Sequence, residues 1–146
     1  FEPDKFNINR IEKNSQLNSD LASNIKIQEL LLWNENKMVD FYEAGTVGSS
    51  AVWMPDTDKC VKKEAVTIDS WVQKNNISQL DFIKMDIEGA EYEIAGDIAK
   101  HHHRIRCIAG EFHELDTRTK EFNECFEQLL QHFYFYIAIR NQLLKV

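Results

Sequence analysis

The sequence predicts one α/β domain, spanning residues 1–146, built on a mainly parallel sheet. Short apolar runs bounded by polar residues, typical of buried strands, alternate with segments whose apolar residues recur at helical spacing. This alternation is the pattern of βα units, in which helices connect parallel strands. The length of 146 residues and the hydrophobic content of 43% are those of one domain with one core.

The first half of the chain predicts a surface helix, a strand and a small β excursion. Apolar residues are sparse between Asp4 and Asn18, so this segment indicates a surface helix with Asp4 as its N-cap. Met38–Tyr42 alternates apolar and polar residues with the period of a strand. The other expected elements are a strand at 25–32 and the excursion at 37–60, which contains a short strand at 47–53 and a polar loop at 55–59.

The second half of the chain carries the clearest alternation. Apolar residues from Phe122 to Phe133 recur every three or four positions, which indicates an amphipathic helix. The expected helices are 69–76, with Thr67 or Asp69 as its cap, 88–100 and 117–132, and the expected strands are 80–86, 105–112, 133–139 and 142–146. The intervening segments predict crossovers, so these strands and the strand at 25–32 should form one sheet in which all are parallel except one of the last two, since that pair indicates an antiparallel hairpin.

Charge and cysteine usage exclude several classes of protein. The 17 Lys and Arg residues against 24 Asp and Glu give a net charge of −7, which disfavours nucleic-acid partners. The longest apolar runs fall far short of the roughly 20 residues that a membrane helix needs. Cys60, Cys107 and Cys125 lack the spacing of a zinc site. Buried free thiols without a secretory leader pattern indicate a cytoplasmic setting.

The string KMDIEGAE at Lys84–Glu91 has the densest set of chemistry-bearing residues. Asp86 is expected at the carboxyl end of the strand at 80–86, and Glu88 in the first turn of the next helix. Ligand sites in open α/β sheets lie at this end of the strands. The alternative, which stays open, is that these acidic residues only complement the helix dipole.

Glu111 and His113 end the next predicted strand. The ends of neighbouring strands are about 5 Å apart, so Asp86 and Glu111 could converge on one substrate or one metal ion. Carboxylates with a neutral imidazole suit Mg²⁺, Mn²⁺ or Fe²⁺, whereas a solvated polar strand end is the alternative. The histidine run at 101–103 indicates a loop at a helix C-terminus, because three consecutive side chains cannot all face one ion in regular structure.

Four segments together resemble the FkbM-type methyltransferases. They are Phe1–Asp4 with its FEP string, Thr67–Trp71, Leu80–Glu91 and Glu111–His113. Their order and spacing resemble that family over essentially the whole chain, and KMDIEGAE is the most specific string. The resemblance implies a Rossmann-like class I methyltransferase sheet that uses S-adenosylmethionine to methylate an oxygen, usually a sugar hydroxyl, of a saccharide or small-molecule acceptor.

The resemblance also implies which residues form the site. The cofactor-binding residues would be Glu2 at the ribose hydroxyls, Leu31 and Leu32 near the adenine, and Asp86 beside the methyl group. The catalytic candidates would be Asp86, Glu88, Glu111 and His113, and no residue is assigned to a metal. A general base near the acceptor would assist removal of the hydroxyl proton, and a divalent cation could do the same by lowering the hydroxyl pKa.

In the family that the chain resembles, a first strand, a glycine-containing loop that binds the methionine part and a first helix lie upstream of FEP. This sequence does not include them, so we expect a truncated N-terminus, cofactor binding that is weak or absent, and an unpaired edge on the strand at 80–86. That edge predicts either a homodimer or disorder around 1–18. The rival functions are a non-catalytic binding or assembly module and a different Rossmann-like nucleotide binder, which would need phosphate-binding glycines that the sequence lacks.

Overall fold

Helices and short strands alternate through the part of the chain that the structure describes. The structure, a computed structural model, describes residues 1–45, 48–52, 59–139 and 142–145. The helices are α1 (Lys5–Leu17), α2 (Ser19–Ala22), α3 (Ile68–Lys74), α4 (Glu91–Lys100) and α5 (Thr119–Leu130), and a 3-10 turn covers His102–Arg104. The strands are β1 (Leu31–Leu32), β2 (Lys37–Tyr42), β3 (Cys60–Val66), β4 (Ile83–Met85), β5 (Ile108–Gly110), β6 (Tyr136–Ile139) and β7 (Gln142–Lys145).

The described strands form three small sheets, which corrects the expectation of one mainly parallel sheet. β3 lies between β1 and β2, parallel to β1 and antiparallel to β2. β4 pairs in parallel with β5, and β6 pairs with β7 in the predicted antiparallel hairpin. β1 and β4 line a common cavity and are not hydrogen-bonded to each other, so the described strands do not join into one sheet. The α/β class is therefore observed, and a Rossmann-like arrangement stays a prediction.

The parallel pair β4–β5 aligns two strand ends. Met85 lies opposite Gly110 at the carboxyl ends of the two strands, so the residues that follow them leave the pair side by side. Strands form within the predicted ranges 80–86 and 105–112, but regular pairing covers only three residues in each. This edge is where the sequence places its acidic candidates.

The N-terminal strands differ most from their prediction. The strand predicted at 25–32 is regular only at its end, in β1. No strand is predicted at β3, because the charged residues at 62–64 hide its alternation. Lys63 nevertheless points inward and is buried, since its ammonium group lies 2.9 Å from a carboxylate oxygen of Glu29 and 3.4 Å from one of Glu43.

Part of the β excursion predicted at 37–60 is observed. β2 forms as predicted, and Ser50 makes a single antiparallel bridge with Tyr42. Residue 47, at the start of the second predicted strand, and residues 53–58, with most of the predicted loop, lie outside the described residues.

The predicted helix at the N-terminus is confirmed. The Asp4 carboxylate caps α1 by accepting a hydrogen bond from the Phe6 N–H group at 2.7 Å. Residues 1–18 therefore have a defined structure, contrary to the disorder that was one of two expectations. None of the helices, within the described ranges, has the length and apolar character needed to cross a membrane.

The start of α4 corrects the prediction for Glu88. The helix begins at Glu91, so Glu88 precedes it instead of lying in its first turn. The backbone explains this difference: φ is 53° at Glu88 and 91° at Gly89, and a right-handed helix cannot include left-handed residues. Glu88 thus belongs to the turn between β4 and α4.

The main core surrounds α4. This helix packs against β4, α3 and α5. The buried residues of this core include Ile94, Ala95, Ile98, Met85, Val72 and Leu129. All three cysteines are free, but only Cys125, on α5, is buried. Cys60 and Cys107 are exposed, which corrects the expectation that all three thiols are buried, because they lie at strand starts outside this core.

Two glycine substitutions should change stability in opposite directions. A Cβ at Gly110 would lie 3.1–3.3 Å from Met85, including its backbone oxygen, so Met85 would have to shift by a few tenths of an ångström. At Gly96, inside α4, a Cβ would meet only the side chain of Gln128 at 3.4 Å. We expect Gly110→Ala to lower the free energy of unfolding by about 1–3 kcal/mol and Gly96→Ala to raise it by up to about 1 kcal/mol. Urea denaturation followed by circular dichroism measures both, and equal effects would contradict the close packing of Gly110.

Candidate functional site

A cavity of about 180 Å³ lies between the N-terminal segment, β1 and the turn after β4. Its wall includes five residues predicted from the sequence to form the site: Glu2, Leu31, Leu32, Asp86 and Glu88. The other two, Glu111 and His113, do not line it. The fold thus brings most of the predicted site residues together from distant parts of the chain.

Hydrogen bonds of both its backbone and its side chain hold Glu2 on the cavity wall. Its backbone N–H donates to the Gln28 carbonyl oxygen at 3.0 Å, and its carboxylate accepts from the Asp4 N–H at 2.8 Å. Partial burial is the largest effect on this carboxyl group and raises its pKa above 4.5, although the Asp4 N–H acts in the opposite direction. The Glu2 carboxylate is therefore a hydrogen-bond acceptor that is held in position on a partly buried part of the cavity wall.

Three side chains converge at the end of the β4–β5 pair. Asp86, Glu88 and His113 each offer one donor atom, and these atoms lie within 4.8 Å of one another. The Nε2 atom of His113 is 3.8 Å from Oδ1 of Asp86 and 3.9 Å from Oε2 of Glu88. Asp86 and Glu88 also line the cavity, so this cluster borders it.

Glu91 orients the imidazole of His113. Its Oε1 atom lies 2.8 Å from Nδ1 of His113 and accepts the Ile87 N–H at 3.1 Å. The Glu91 side chain is fully buried, and its Oε2 atom has no hydrogen-bond partner among the described residues. With Nδ1 engaged in this way, Nε2 of His113 faces Asp86 and Glu88.

The backbone of His113 is also fixed. The hydroxyl of Tyr92 donates a hydrogen bond to the His113 carbonyl oxygen. The guanidinium carbon of Arg118 lies 3.9 Å from the centre of the Tyr92 ring, and Arg118 donates to the Gly89 carbonyl at 3.0 Å. These contacts tie the segment after β5 to the turn that carries Glu88.

The surroundings of His113 favour its protonated form. Partial burial is the largest single effect and lowers its pKa. The hydrogen bond and charge of Glu91, with the charges of Glu88 and Asp86, outweigh burial and raise the pKa of His113 above 6.5. The Lys84 ammonium, 2.9 Å from Oδ2 of Asp86, balances part of the negative charge on the other side.

The turn that presents Glu88 has an uncommon backbone. The left-handed conformation of Glu88 and Gly89 reverses the chain between β4 and α4. The hydroxyl of Ser50 donates to the Glu88 carbonyl at 3.0 Å and so holds the turn against the excursion. This conformation is what brings the Glu88 carboxylate beside His113.

A sequence profile of the methyltransferase FkbM domain matches residues 1–137. The chain belongs to this family. The match confirms the resemblance carried by FEP and KMDIEGAE and gives methyl transfer as the general reaction of the domain. It spans the cavity wall and the whole cluster around His113. Neither the curated proteins nor the solved structures match the chain.

Two groups in this FkbM-family domain stand apart from the cluster. Glu111 is exposed, and although its N–H donates to the Met85 carbonyl at 3.1 Å, its carboxylate does not join Asp86 and His113. Regular strand geometry ends at Gly110, so the alternation expected to align Glu111 with His113 does not continue. The histidines at 101–103 cap α4 and form the 3-10 turn, close to the predicted loop.

Glu91 is a candidate site residue of the FkbM-family domain that the sequence prediction missed. It lies in KMDIEGAE but is not among the predicted catalytic or binding residues. A signal for it exists, because Glu91, Ala95 and Ile98 recur at helical spacing and share the buried face of α4. A carboxylate on an apolar stripe needs a partner, and His113 is that partner.

Glu91→Gln should lower the pKa of His113. The substitution removes the negative charge that faces the imidazole and keeps the size of the side chain. Because folding raises the His113 pKa, its protonated form stabilises the wild-type fold below pH 6.5, and this contribution is lost as the pH rises through the folded-state pKa. NMR titration of the imidazole in buffer with EDTA measures the shift. Glu111→Gln is the control and should leave it unchanged, whereas an unchanged pKa in Glu91→Gln would contradict this assignment.

Proposed function

We propose that the domain transfers a methyl group from S-adenosylmethionine to an oxygen of its acceptor, such as a sugar hydroxyl. Membership of the FkbM methyltransferase family supports the reaction class. The observation that carries the finer proposal is the cavity whose wall includes Glu2, Leu31, Leu32 and Asp86. These residues were expected at the cofactor from the family resemblance alone, and they come from separate segments.

The chemistry of the cavity wall suits the adenosine part of the cofactor. Leu31, Leu32 and Phe41 offer an apolar surface for a base, and the Glu2 carboxylate can accept hydrogen bonds from a pair of ribose hydroxyls. When bound, S-adenosylmethionine supplies a methyl group on a positively charged sulfur. The volume of about 180 Å³ is below the roughly 300–1,000 Å³ of most ligand pockets, so we expect partial enclosure and weak binding.

The Asp86 cluster suits the acceptor. Asp86 lies on the cavity wall and in the cluster, so an acceptor oxygen held there is also next to the cofactor cavity. Carboxylate oxygens of Asp86 and Glu88 can accept a hydrogen bond from a hydroxyl and orient its lone pair. The proton that this hydroxyl loses can pass to a carboxylate of Asp86 or Glu88, and the imidazole of His113, oriented by Glu91, faces both carboxylates.

A non-catalytic binding or assembly module of the same family is the second candidate. The small cavity volume favours it, because partial enclosure limits how firmly a whole cofactor can be held. We also propose a cytoplasmic setting and a homodimer. The cytoplasmic setting is supported by the free thiols of all three cysteines. A homodimer across the edge of β4 is supported because, among the described strands, β4 pairs only with β5.

Glu2→Gln should weaken cofactor binding without destabilising the fold. The amide keeps an oxygen that can accept the Asp4 N–H, and it removes a carboxylate that burial makes unfavourable. It also loses the charge-assisted hydrogen bonds to ribose hydroxyls, which are worth about 1.5–3 kcal/mol or roughly tenfold or more in affinity. Calorimetric titration with S-adenosylhomocysteine and a thermal melt measure both effects. An unchanged affinity would remove Glu2 from the proposed site.

Asp86→Asn should abolish methyl transfer and leave the fold intact. The side chain is partly exposed, and its ion pair with Lys84 is too exposed to matter much for stability. Transfer of a radiolabelled methyl group to a panel of mono- and oligosaccharides measures turnover, with Glu111→Gln as the control. Full activity of Asp86→Asn would contradict the proposed role, and an inactive wild-type chain that still binds S-adenosylhomocysteine would favour the binding module.

A further inference from the structure

The donor atoms of Asp86, Glu88 and His113 have the spacing of metal ligands. Two ligands on opposite sides of Mg²⁺ are about 4.2 Å apart, and adjacent ligands about 3 Å apart. The three donors lie within 4.8 Å of one another, with both carboxylates 3.8–3.9 Å from Nε2 of His113. Small rotations of the two carboxylates would therefore bring all three onto one ion.

The arrangement behind His113 is the one that metal-binding histidines commonly have. A ligating imidazole usually donates its second N–H to a carboxylate, which fixes the tautomer and makes the other nitrogen a better ligand. Glu91 provides this contact at 2.8 Å, and it places Nε2 toward Asp86 and Glu88.

The burial of Glu91 is an independent observation that favours a cation. Glu91 is fully buried, and its Oε2 atom has no hydrogen-bond partner among the described residues. A buried carboxylate with an unsatisfied oxygen is costly unless positive charge lies nearby. His113 is the group through which positive charge reaches Glu91, and a divalent ion on its Nε2 atom would supply that charge in place of a proton, whereas Lys84 is mostly exposed and pairs with Asp86 on the outside.

We propose that Asp86, Glu88 and His113 bind one divalent cation, Mg²⁺ or Mn²⁺, with Glu91 positioning the imidazole. Two carboxylates with one imidazole favour these hard ions over soft ones. The side chains of Asp86, Glu88 and His113 are 27–38% exposed, so coordination positions remain for water or an acceptor oxygen. The use of the ion rests on the proposed function: it would hold the acceptor hydroxyl and favour loss of its proton to water.

Titration of the purified, metal-stripped chain with MnCl₂ tests the site directly. Electron paramagnetic resonance measures free Mn²⁺, and no cofactor or acceptor is present. We expect one saturable site with a Kd below about 1 mM. A lack of saturable binding up to that concentration would overturn the proposal.

Three variants distinguish specific coordination of Mn²⁺ from its nonspecific electrostatic attraction to acidic residues. Asp86→Asn should weaken Mn²⁺ binding at least tenfold. Glu91→Gln keeps all three ligands, so a loss of about 10–100-fold would come from the orientation of His113. Glu111→Gln removes an exposed carboxylate near the same strand ends and should leave the affinity unchanged. Equal losses in all three variants would overturn the proposal.

A measurement on the wild-type chain covers the case in which a variant fails to fold. Substoichiometric Mn²⁺ should broaden the NMR signals of the His113 ring more than those of the exposed His103, and equal broadening would overturn the site.

Titration with S-adenosylhomocysteine separates the two proposals. Mn²⁺ binding without binding of this cofactor product would support the ion site and contradict the proposed function. Binding of the product alone would do the reverse.

Discussion

The hydrogen bond between the buried carboxylate of Glu91 and the imidazole of His113 holds the candidate site together. The same carboxylate accepts the Ile87 N–H, so one side chain links the turn after β4 to the segment after β5. Because Glu91 is inaccessible to water, solvent does not compete for these bonds. Loss of the imidazole would leave the buried carboxylate of Glu91 without this partner, which makes the link a strong constraint on both strand ends.

Other buried charges join the small sheets and helices in a similar way. Lys63 occupies an inward position of β3 because Glu29 and Glu43 flank its ammonium group. Asp97 of α4 accepts the N–H of Ile68 at 2.7 Å and so ties α3 to the main core. The domain is thus assembled partly by polar contacts between elements, and not by one continuous ladder of strand pairing.

The position of Asp86 connects the two halves of the proposed reaction. Methyl transfer needs the donor and the acceptor oxygen in contact, and proximity of this kind accounts for a large part of many enzymatic rates. Asp86 lies on the wall of the cavity and within the cluster that contains Glu88 and His113. The left-handed turn at Glu88 and Gly89 makes this possible, because it directs a carboxylate back toward the strand ends.

Local patterns in the sequence predicted the elements well. Helical spacing of apolar residues located α4 and α5, and cap residues located α3, each to within three residues at each end; the cap of α1 at Asp4 followed from residue type. These features depend on hydrogen bonds and side-chain spacing within a few residues. The position of Asp86 at a strand end was likewise predicted from the residues next to it in the sequence.

The sequence by itself determined the α/β class, the helices α1, α3, α4 and α5, the closing hairpin and the family, with Asp86 at its most specific string. Only the tertiary structure decided that His113 and not Glu111 meets Asp86, and that Glu91 is part of the site. Glu91 and His113 are 22 positions apart, and Lys63 and Glu29 are 34 apart. Whether a charge can be buried depends on such distant partners, and no local periodicity records them.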